Sequence, residues 1–392
     1  MFRLKAALTR SVIAFAVLGS SLIAISCSPP DRARESGSAG ESGQSESTKL
    51  PDFLVGADIS FLPELEDHGV VYSDADGEKD LLLLLRDHGF NAIRLKLWHT
   101  PEAPYNTLDQ VLDMARRIED AGLVFLLDFH YSDSWADPQK QIKPAAWEGL
   151  PFGILADSVR EYTRAVVEAL ARQGTPPEIV QIGNEIRPGM LWPEGRVDGE
   201  YDTPRQWDRL AMLLEAGILG TRGGSPDSPP RIMIHFDNGA KNDMGRAFFD
   251  QLVERELDFD LIGLSFYPKW HGTLDELRAN LPDLASRYGK EVVVVETSYP
   301  WTMEWKDEAP NIMGTEEDLH PGFPPTKQGQ AGFLAEVREA VQSVSEGRGA
   351  GVFYWAPEWV AVEGVDSHWE NATLFDFDGR ALPGLEAFSG RE

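Results

Sequence analysis

Two glutamates in this 392-residue chain follow strongly apolar stretches, where a carboxylate is costly unless a partner or a function keeps it. Glu185 comes directly after an apolar run that ends at Asn184, and Glu296 follows a run of four valines. Two carboxyl groups on either side of a glycosidic bond can hydrolyse it, because one protonates the leaving oxygen and the other attacks or activates water. A structural ion pair with Arg94 or His130 is the alternative for each glutamate.

The elements that would position these glutamates repeat as one unit from residue 51 onward. A short apolar, β-branched run precedes a helical stretch of roughly 12 to 20 residues, as in 108–121, 155–171 and 328–344. Runs that are almost continuously apolar indicate strands buried on both faces of a parallel sheet. The eight predicted strands are Phe53–Asp58, Asn91–Leu97, Leu123–His130, Glu178–Asn184, Arg231–His235, Asp260–Phe266, Glu291–Glu296 and Ala350–Trp355.

Eight β-then-α units predict an α/β fold with a single (β/α)8 TIM barrel, and a doubly wound open sheet is the alternative. In such barrels the active site lies at the carboxyl ends of the strands. Every predicted strand here ends in polar or aromatic residues. Helix capping could explain any one of them, but eight together favour a site. Strands four and seven lie on opposite sides of a barrel mouth, so the two glutamates would face each other. The strand-end residues predicted to contact substrate are Asp58, Arg94, Trp98, Asp128, His130, Asn184, His235, Ser265, Tyr267 and Trp355.

Ten of the eleven tryptophans fall at predicted strand ends or just after them, and only Trp207 lies inside a predicted helix. Flat aromatic rings suit the apolar faces of sugars, while neighbouring polar side chains can bond the hydroxyls. Packing of loops onto the barrel is the alternative for each ring. We expect Trp135 and Trp270 to join the strand-end tryptophans in a cleft that binds a polysaccharide.

The composition limits the partners. Lys and Arg number 36 against 64 Asp and Glu, which gives a formal net charge of -28 at pH 7. This charge argues against nucleic acid and anionic membrane surfaces, because both require a basic face. The single cysteine, Cys27, leaves no intrachain disulfide and no cysteine-based metal site. No phosphate-binding loop or nucleophilic Ser or Cys constellation is evident, and we expect a monomer.

The first 27 residues predict export. Their apolar run of about 15 residues is shorter than the roughly 20 that a membrane-spanning helix needs. It follows three basic residues, Arg3, Lys5 and Arg10. The small residues before Cys27 resemble a lipoprotein signal, in which this cysteine becomes lipidated. We therefore expect an exported bacterial lipoprotein at the outer membrane or cell surface, held to the membrane only through a lipid anchor at Cys27. An ordinary cleaved signal and secretion form the alternative.

Residues 28–50 are rich in Ser, Gly and Glu and contain almost nothing to bury, which predicts a flexible tether. The predicted catalytic domain then occupies residues 51–392.

Two acidic clusters raise the question of a metal, whose ligands the sequence leaves unknown. Asp74-Ala-Asp-Gly77 begins like a calcium loop but lacks the remaining ligand spacing, so a turn that opens the next helix is the better interpretation. The second cluster is Asp128, His130, Asp133 and Asp137. Binding of neutral sugars explains this second cluster with fewer assumptions than a metalloenzyme does.

Finer motifs are similar to those of glycoside hydrolase family 53, the endo-β-1,4-galactanases, over roughly residues 51–390. Asn184-Glu185 and Glu296 also resemble the acid/base and nucleophile of the large clan of retaining (β/α)8 glycoside hydrolases. The motifs are Gly56-Ala-Asp-Ile-Ser, Asp128-Phe-His-Tyr-Ser-Asp-Ser-Trp-Ala-Asp-Pro138, Gln181-Ile-Gly-Asn-Glu185, Leu191-Trp-Pro-Glu-Gly195, Ile262-Gly-Leu-Ser-Phe-Tyr-Pro268, Trp270-His-Gly-Thr-Leu274 and Glu296-Thr-Ser-Tyr-Pro-Trp301.

The resemblance implies a retaining endo-β-1,4-galactanase that acts on galactan side chains of pectin. It implies no cofactor for catalysis and allows a structural calcium in the last loops, but the sequence does not identify the ligands within 357–375. Glu185 would be the general acid/base, Glu296 the nucleophile and Asn184 the partner of the sugar 2-hydroxyl. Arg94 and Tyr267 would orient Glu296 and keep it ionised. The subsite for the attacked sugar would be lined by Asp128, His130, His235 and Trp355.

Three positions depart from the family pattern: Lys96 in place of Arg, Ile186 in place of Thr, and Ala356 in place of Glu. They affect expected sugar contacts and leave the hydrolytic pair intact. The alternatives are another endo-glycanase of the same clan, a cellulase or mannanase, and a non-catalytic surface lipoprotein that binds glycans. The two glutamates favour an enzyme, since a binding protein has no need for two carboxylates across one bond.

Overall fold

The computed structural model describes residues 50–391. The predicted signal peptide, its lipidation site Cys27 and the predicted tether except for Leu50 lie outside the described residues.

Eight parallel strands close into a barrel in chain order. The first strand pairs with both the second and the eighth, so the sheet closes on itself. The single (β/α)8 barrel is therefore confirmed, and the open doubly wound sheet is excluded. The strands are Leu54–Asp58, Ala92–Leu97, Val124–Phe129, Ile179–Ile182, Arg231–Phe236, Leu261–Phe266, Glu291–Thr297 and Gly349–Trp355.

Helices surround the barrel, and threonines begin several of them. The side chains of Thr107, Thr203, Thr273 and Thr326 each accept a hydrogen bond from a backbone N–H of the first helical turn. The helices are Leu62–Asp67, Leu81–Asp87, Leu108–Ala121, Phe152–Gln173, Pro204–Gly224, Asn242–Glu254, Pro268–His271, Leu274–Tyr288, Lys327–Gln342 and Gly384–Ser389. Among residues 50–391, no helix is both long and apolar enough to cross a membrane.

Each barrel strand is apolar on two faces because it packs on two sides. One cluster of buried side chains fills the barrel interior and includes Leu126, Met233 and Phe353. A larger cluster lies between the strands and the surrounding helices. Gly56 belongs to the crowded interior, since a Cβ there would lie 2.2 Å from the ring of Phe353. These packed layers form a rigid floor below the ends of the strands.

The fourth strand ends earlier than predicted. It spans Ile179–Ile182, whereas the sequence pattern extended it to Asn184. Gly183 has φ of 83° and Glu185 has φ of 49°, so the chain turns through left-handed conformations directly after the strand. This turn places the Glu185 side chain at the mouth of the barrel.

The segment Asp74–Gly77 forms a hairpin turn between the short strands Tyr72–Asp74 and Gly77–Lys79. Asp74 Oδ1 accepts from the backbone N–H of Asp76 at 2.8 Å, and Asp74 Oδ2 lies 3.2 Å from His88 Nε2. The prediction of a turn is correct, but this turn does not open the next helix. That helix is capped by Asp80, which accepts from the N–H groups of Leu82 and Leu83.

The surface charge leads to a prediction about salt. Without residues 1–27 the chain keeps 33 Lys and Arg against 64 Asp and Glu. Repulsion among exposed carboxylates weakens as the Debye length falls from about 10 Å at 0.1 M salt to about 3 Å at 1 M. We expect the melting temperature, measured by calorimetry, to rise with sodium chloride over this range while activity on a neutral polymer is kept. A melting temperature that falls instead would refute this expectation.

Candidate active site

A cleft of about 580 Å³ opens at the carboxyl ends of the barrel strands. Glu185 and Glu296 both line it, and they come from the ends of the fourth and seventh strands. In the strand order these two strands lie three positions apart around the ring of eight, so the carboxyl groups face the cleft from two directions. Other predicted residues that line the cleft are Arg94, His130, Trp135, Asn184, Tyr267, Trp270 and Trp355.

Arg94 is the central cation in the floor of the cleft. Its Nη1 lies 2.8 Å from Glu296 Oε1 and donates at 2.8 Å to Asp58 Oδ2. Its Nη2 donates to Asp128 Oδ2 at 2.9 Å and to Asn184 Oδ1 at 2.8 Å. The side chain is 1% exposed, so these bonds form in a setting where charge interactions are strong. One guanidinium therefore holds three carboxylates and the amide that precedes the acid candidate.

Glu296 is held on both of its oxygens. Arg94 contacts Oε1, and the Tyr267 hydroxyl donates to Oε2 at 3.2 Å. Burial raises the pKa of Glu296 to about 7, while the charge of Arg94 acts in the opposite direction. Arg94 thus favours the ionised carboxylate, which is the form that a nucleophile requires.

Glu185 has a different environment. Burial and the charges of Glu296 and Asp237 raise the pKa of Glu185 well above its ordinary value. The Ser265 hydroxyl lies 2.6 Å from Glu185 Oε1. Because the guanidinium bonds directly to Glu296, Glu296 loses its proton first and Glu185 keeps one. Two carboxyl groups with separated proton affinities can act as acid and nucleophile.

Four predicted sugar-contacting residues lie beneath the cleft. Asp58 and Asp128 bond to Arg94, and His235 and Ser265 form hydrogen bonds behind Glu185. All four are at most 2% exposed. These four side chains bond to Arg94 and Glu185, which line the cleft, and their direct contact with sugar stays a prediction. Strand-end position alone does not reveal this burial.

Asn184 uses both ends of its amide. Its Oδ1 accepts from Arg94, and its Nδ2 donates to the backbone oxygen of Ala136 at 2.9 Å. The side chain is 6% exposed and lines the cleft. The two bonds fix the orientation of the amide next to Glu185.

Aromatic rings form the walls. Trp270 is 48% exposed and lies edge-on to Tyr267 with ring centroids 5.6 Å apart. Trp355 packs edge-on against Trp369 at 4.8 Å. Trp98 instead contacts a residue that lines the cleft, since its Nε1 donates to His130 Nδ1 at 3.2 Å. Trp270 and Trp355 thus line the cleft, whereas Trp98 bonds to His130, which lines it.

Several residues of the site did not stand out in the sequence. Gln181 donates to Asp128 Oδ1 at 2.6 Å, and it is the one polar residue in the fourth strand. Asp237 lines the cleft and accepts from Arg187 Nε at 2.9 Å. The fifth strand extends to Phe236, one residue beyond its predicted end, so Asp237 is its strand-end residue.

Lys96 also lines the cleft, and it is 2% exposed. Its ammonium lies 3.9 Å from the ring centroid of Phe61 and 4.6 Å from that of Trp135. Burial lowers the pKa of Lys96 to about 8. A cation among aromatic rings is stabilised by their negative faces, so Lys96 holds this wall of the cleft together.

The acidic residues among 50–391 do not gather into a cluster of metal-ligating side chains. Residues 50–391 contain no group of three or more His, Cys, Asp or Glu arranged to hold a metal ion. In the segment predicted for calcium, Glu370 Oε1 accepts from the backbone N–H of Lys306. In the second acidic cluster, Asp133 accepts from the backbone N–H groups of Thr100 and Ala145. These carboxylate oxygens accept from backbone N–H groups, whereas Glu370 Oε2 and Asn371 Oδ1 are buried without a hydrogen-bond partner among residues 50–391. The structural calcium stays a prediction.

Comparisons with known proteins agree with this geometry. Residues 54–388 match the model of glycosyl hydrolase family 53. A protein of Niallia circulans, described as uncharacterized, is 47% identical over 86% of this chain and 93% of its own length. An arabinogalactan endo-beta-1,4-galactanase of Cellvibrio japonicus is 36% identical over 86% of this chain and 90% of its own length. The solved GH53 catalytic domain of Ignisphaera aggregans superposes with a TM-score of 0.81 at 37% identity, and the match covers 87% of this chain and 97% of that domain.

Proposed function

The chain belongs to glycoside hydrolase family 53, and from this membership we propose that it is a retaining endo-β-1,4-galactanase that cleaves within the galactan side chains of pectin. The observation that carries the proposal is the pair of Glu185 and Glu296 in one cleft, each in a different electrostatic setting. The galactanases among its relatives support the choice of substrate.

The reaction takes two steps. In the first, the Glu296 carboxylate attacks the anomeric carbon, and Glu185 gives its proton to the departing glycosidic oxygen. In the second, Glu185 takes a proton from a water molecule, which attacks the same carbon and releases Glu296. Direct attack requires carboxyl groups about 5 to 5.5 Å apart, and two inversions return the original configuration. The two carboxyl groups supply nucleophile, acid and base, so the proposed reaction uses no cofactor.

The neighbours of Glu296 prepare it for attack. Arg94 favours its ionised form, and Tyr267 fixes its second oxygen. Asn184, held by Arg94 and by the backbone of Ala136, would offer its amide to the 2-hydroxyl of the attacked sugar. A hydrogen bond to that hydroxyl speeds the reaction if it is stronger in the transition state than in the bound substrate, because it then lowers the barrier.

The substrate is tested by product analysis. The chain is incubated with pectic galactan, cellulose and mannan, and the soluble products are separated over time. We expect galactan to yield mixed oligosaccharides from the earliest samples, because an open cleft admits the middle of a chain. Release of galactose alone from the start would indicate an exo-acting enzyme. Preferred cleavage of cellulose or mannan would identify one of the other clan activities, and binding of galactan without any product would identify a glycan-binding protein.

The aromatic wall leads to a matched pair of variants. Trp270 and Trp305 are both 48% exposed, but only Trp270 is among the residues that line the cleft. Trp270→Ala should weaken kcat/KM on galactan by about 5- to 150-fold, which corresponds to the roughly 1 to 3 kcal/mol of one large buried side chain. Trp305→Ala should leave it unchanged. Equal values for both variants would mean that Trp270 does not stack on sugar.

We also propose that the protein is exported and anchored through a lipid on Cys27. The signal-like pattern of residues 1–27 and the small residues before the cysteine support this proposal. Cys27→Ser should release the protein from the membrane fraction of the expressing bacterium into the soluble fraction. If the wild-type protein is soluble and its mass includes no lipid, the protein is secreted through an ordinary signal.

A further inference from the structure

The side chains of Glu185, Ser265 and His235 come from three neighbouring strands and form a line of hydrogen bonds. Glu185 Oε1 lies 2.6 Å from Ser265 Oγ, and Ser265 Oγ lies 2.9 Å from His235 Nε2. Ser265 and His235 are both fully buried. The line therefore ends inside the barrel and leaves only Glu185 Oε2 toward the cleft.

The contacts of His235 indicate which ring nitrogen carries the proton. Nδ1 lies 2.9 Å from Asn184 Oδ1, an acceptor that also takes a hydrogen bond from Arg94. The N–H donors of Glu185 and Gln181 lie farther from Nδ1, at 3.3 and 3.2 Å. We therefore assign the proton to Nδ1 and the lone pair to Nε2. Burial holds the pKa of His235 well below its usual value, so the ring is neutral.

The Ser265 hydroxyl consequently has an acceptor on each side, Glu185 Oε1 and His235 Nε2. We propose that Ser265 is a positioning residue whose hydroxyl turns between these two acceptors and holds Glu185 through both steps of the reaction. When Oε1 carries a proton, Glu185 donates to Ser265 Oγ and the hydroxyl points to His235. The proton that reaches the glycosidic oxygen sits on Oε2. In that form, and after the proton has left, the hydroxyl donates to Oε1 and leaves Oε2 facing the glycosidic oxygen or the attacking water.

The proposal keeps the proton balance of the reaction. One proton leaves Glu185 with the departing oxygen and one returns from water, while Ser265 and His235 neither gain nor lose one. A hydrogen bond to a carboxylate is stronger than one to a neutral acid. Ser265 therefore stabilises Glu185 most after the first step, when Glu185 must act as a base.

The other groups around Glu185 disfavour a negative charge on its carboxyl group. Burial and the negative charges of Glu296, Asp237 and Asp137 all favour the protonated acid, and Ser265 favours the ionised form. Asp237 is itself paired with Arg187. The remaining titratable neighbours of this part of the cleft are Tyr267, His235 and His271. Burial lowers the pKa of His271 to about 3, so it is neutral.

A pair of serine variants tests the proposal, which rests on the proposed role of Glu185 as acid and base. Ser298 follows the seventh strand, is also fully buried, and its Oγ has no hydrogen-bond partner among residues 50–391, so Ser298→Ala is the matched control. The pH profile is measured on galactan, whose leaving group needs the proton of Glu185, and the burst is measured on an aryl β-galactoside of a galactooligosaccharide with a good leaving group. In Ser265→Ala, the high-pH limb of the kcat/KM profile should move to higher pH, because a bond that favours ionised Glu185 is lost.

The second readout is the pre-steady-state release of the aryl group. Loss of the Ser265 hydroxyl should slow the second step about tenfold or more and produce a burst, as expected for a hydrogen bond to a charged group. Ser298→Ala should show neither change. An unaltered pH profile without a burst in Ser265→Ala would overturn the inference while leaving the proposed function intact. Full activity of Glu185→Gln on galactan would instead overturn the proposed function itself.

Discussion

Glu296→Gln should lose turnover of galactan by at least about four orders of magnitude, since an amide cannot form the covalent intermediate. Binding of a galactooligosaccharide, measured by calorimetric titration, should be largely kept. The side chain keeps its size, and Arg94 retains Asp58 and Asp128 as partners, so the cleft stays formed. Substantial residual turnover, beyond what contamination by wild type explains, would contradict the role of Glu296.

Glu185→Gln provides the complementary variant. Its kcat/KM on galactan should fall by about 10²- to 10⁴-fold, the usual contribution of a general acid. An aryl galactoside with a good leaving group needs little protonation, so its first step should be much less affected. Sodium azide should then restore turnover, because this anion attacks the intermediate without help from a base. Equal damage on both substrates would argue against the acid role.

The pH dependence follows from the same pair. Burial places the pKa of Glu296 at about 7, so activity should rise as the pH increases through that value and Glu296 ionises. The pKa of Glu185 is raised well above its ordinary value, so activity should fall at higher pH, where Glu185 loses its proton. The expected kcat/KM profile is a bell with these two limbs.

Arg94→Met should cost both activity and stability. The variant leaves Asp58, Asp128 and Glu296 buried together without their guanidinium. Removing one partner of a buried charge pair costs about 3 to 5 kcal/mol of the free energy of unfolding. Activity should fall as well, because nothing then favours the ionised form of Glu296.

A surface arginine provides the control for Arg94. Arg117 also contacts two carboxylates, those of Glu66 and Asp80, but its side chain is 32% exposed. Arg117→Met should change the free energy of unfolding by no more than about 1 kcal/mol, since solvent screens such pairs. Urea denaturation of both variants gives the comparison. Equal losses would show that Arg94 is not the central cation of the site.

The barrel and the hydrolytic pair could be predicted because both leave a direct mark on the sequence. Strands buried on two faces are apolar throughout, and a glutamate directly after such a run is conspicuous. The position at which the fourth strand ends was harder to predict from the sequence. Gly183 and Glu185 turn the chain through left-handed conformations, and no hydrophobic pattern marks such a turn at a non-glycine residue.

The depth of each polar side chain could not be predicted either. Asp58 and Ser265 end their strands as Glu296 does, yet they lie beneath the cleft. Depth depends on how the strands are staggered around the closed barrel, which is a property of all eight strands together. The sequence pattern therefore predicted which residues lie at the mouth of the barrel. It did not distinguish the side chains that line the cleft from those buried beneath it.

The anomeric configuration of the first products tests the central claim most directly. Proton NMR is recorded within the first minutes of hydrolysis of a galactooligosaccharide, before mutarotation mixes the two forms. Attack by Glu296 followed by water predicts that new reducing ends appear as the β-anomer and that the α-anomer grows in later. Initial appearance of the α-anomer would mean a single displacement by water and would contradict the assignment of Glu296 as nucleophile.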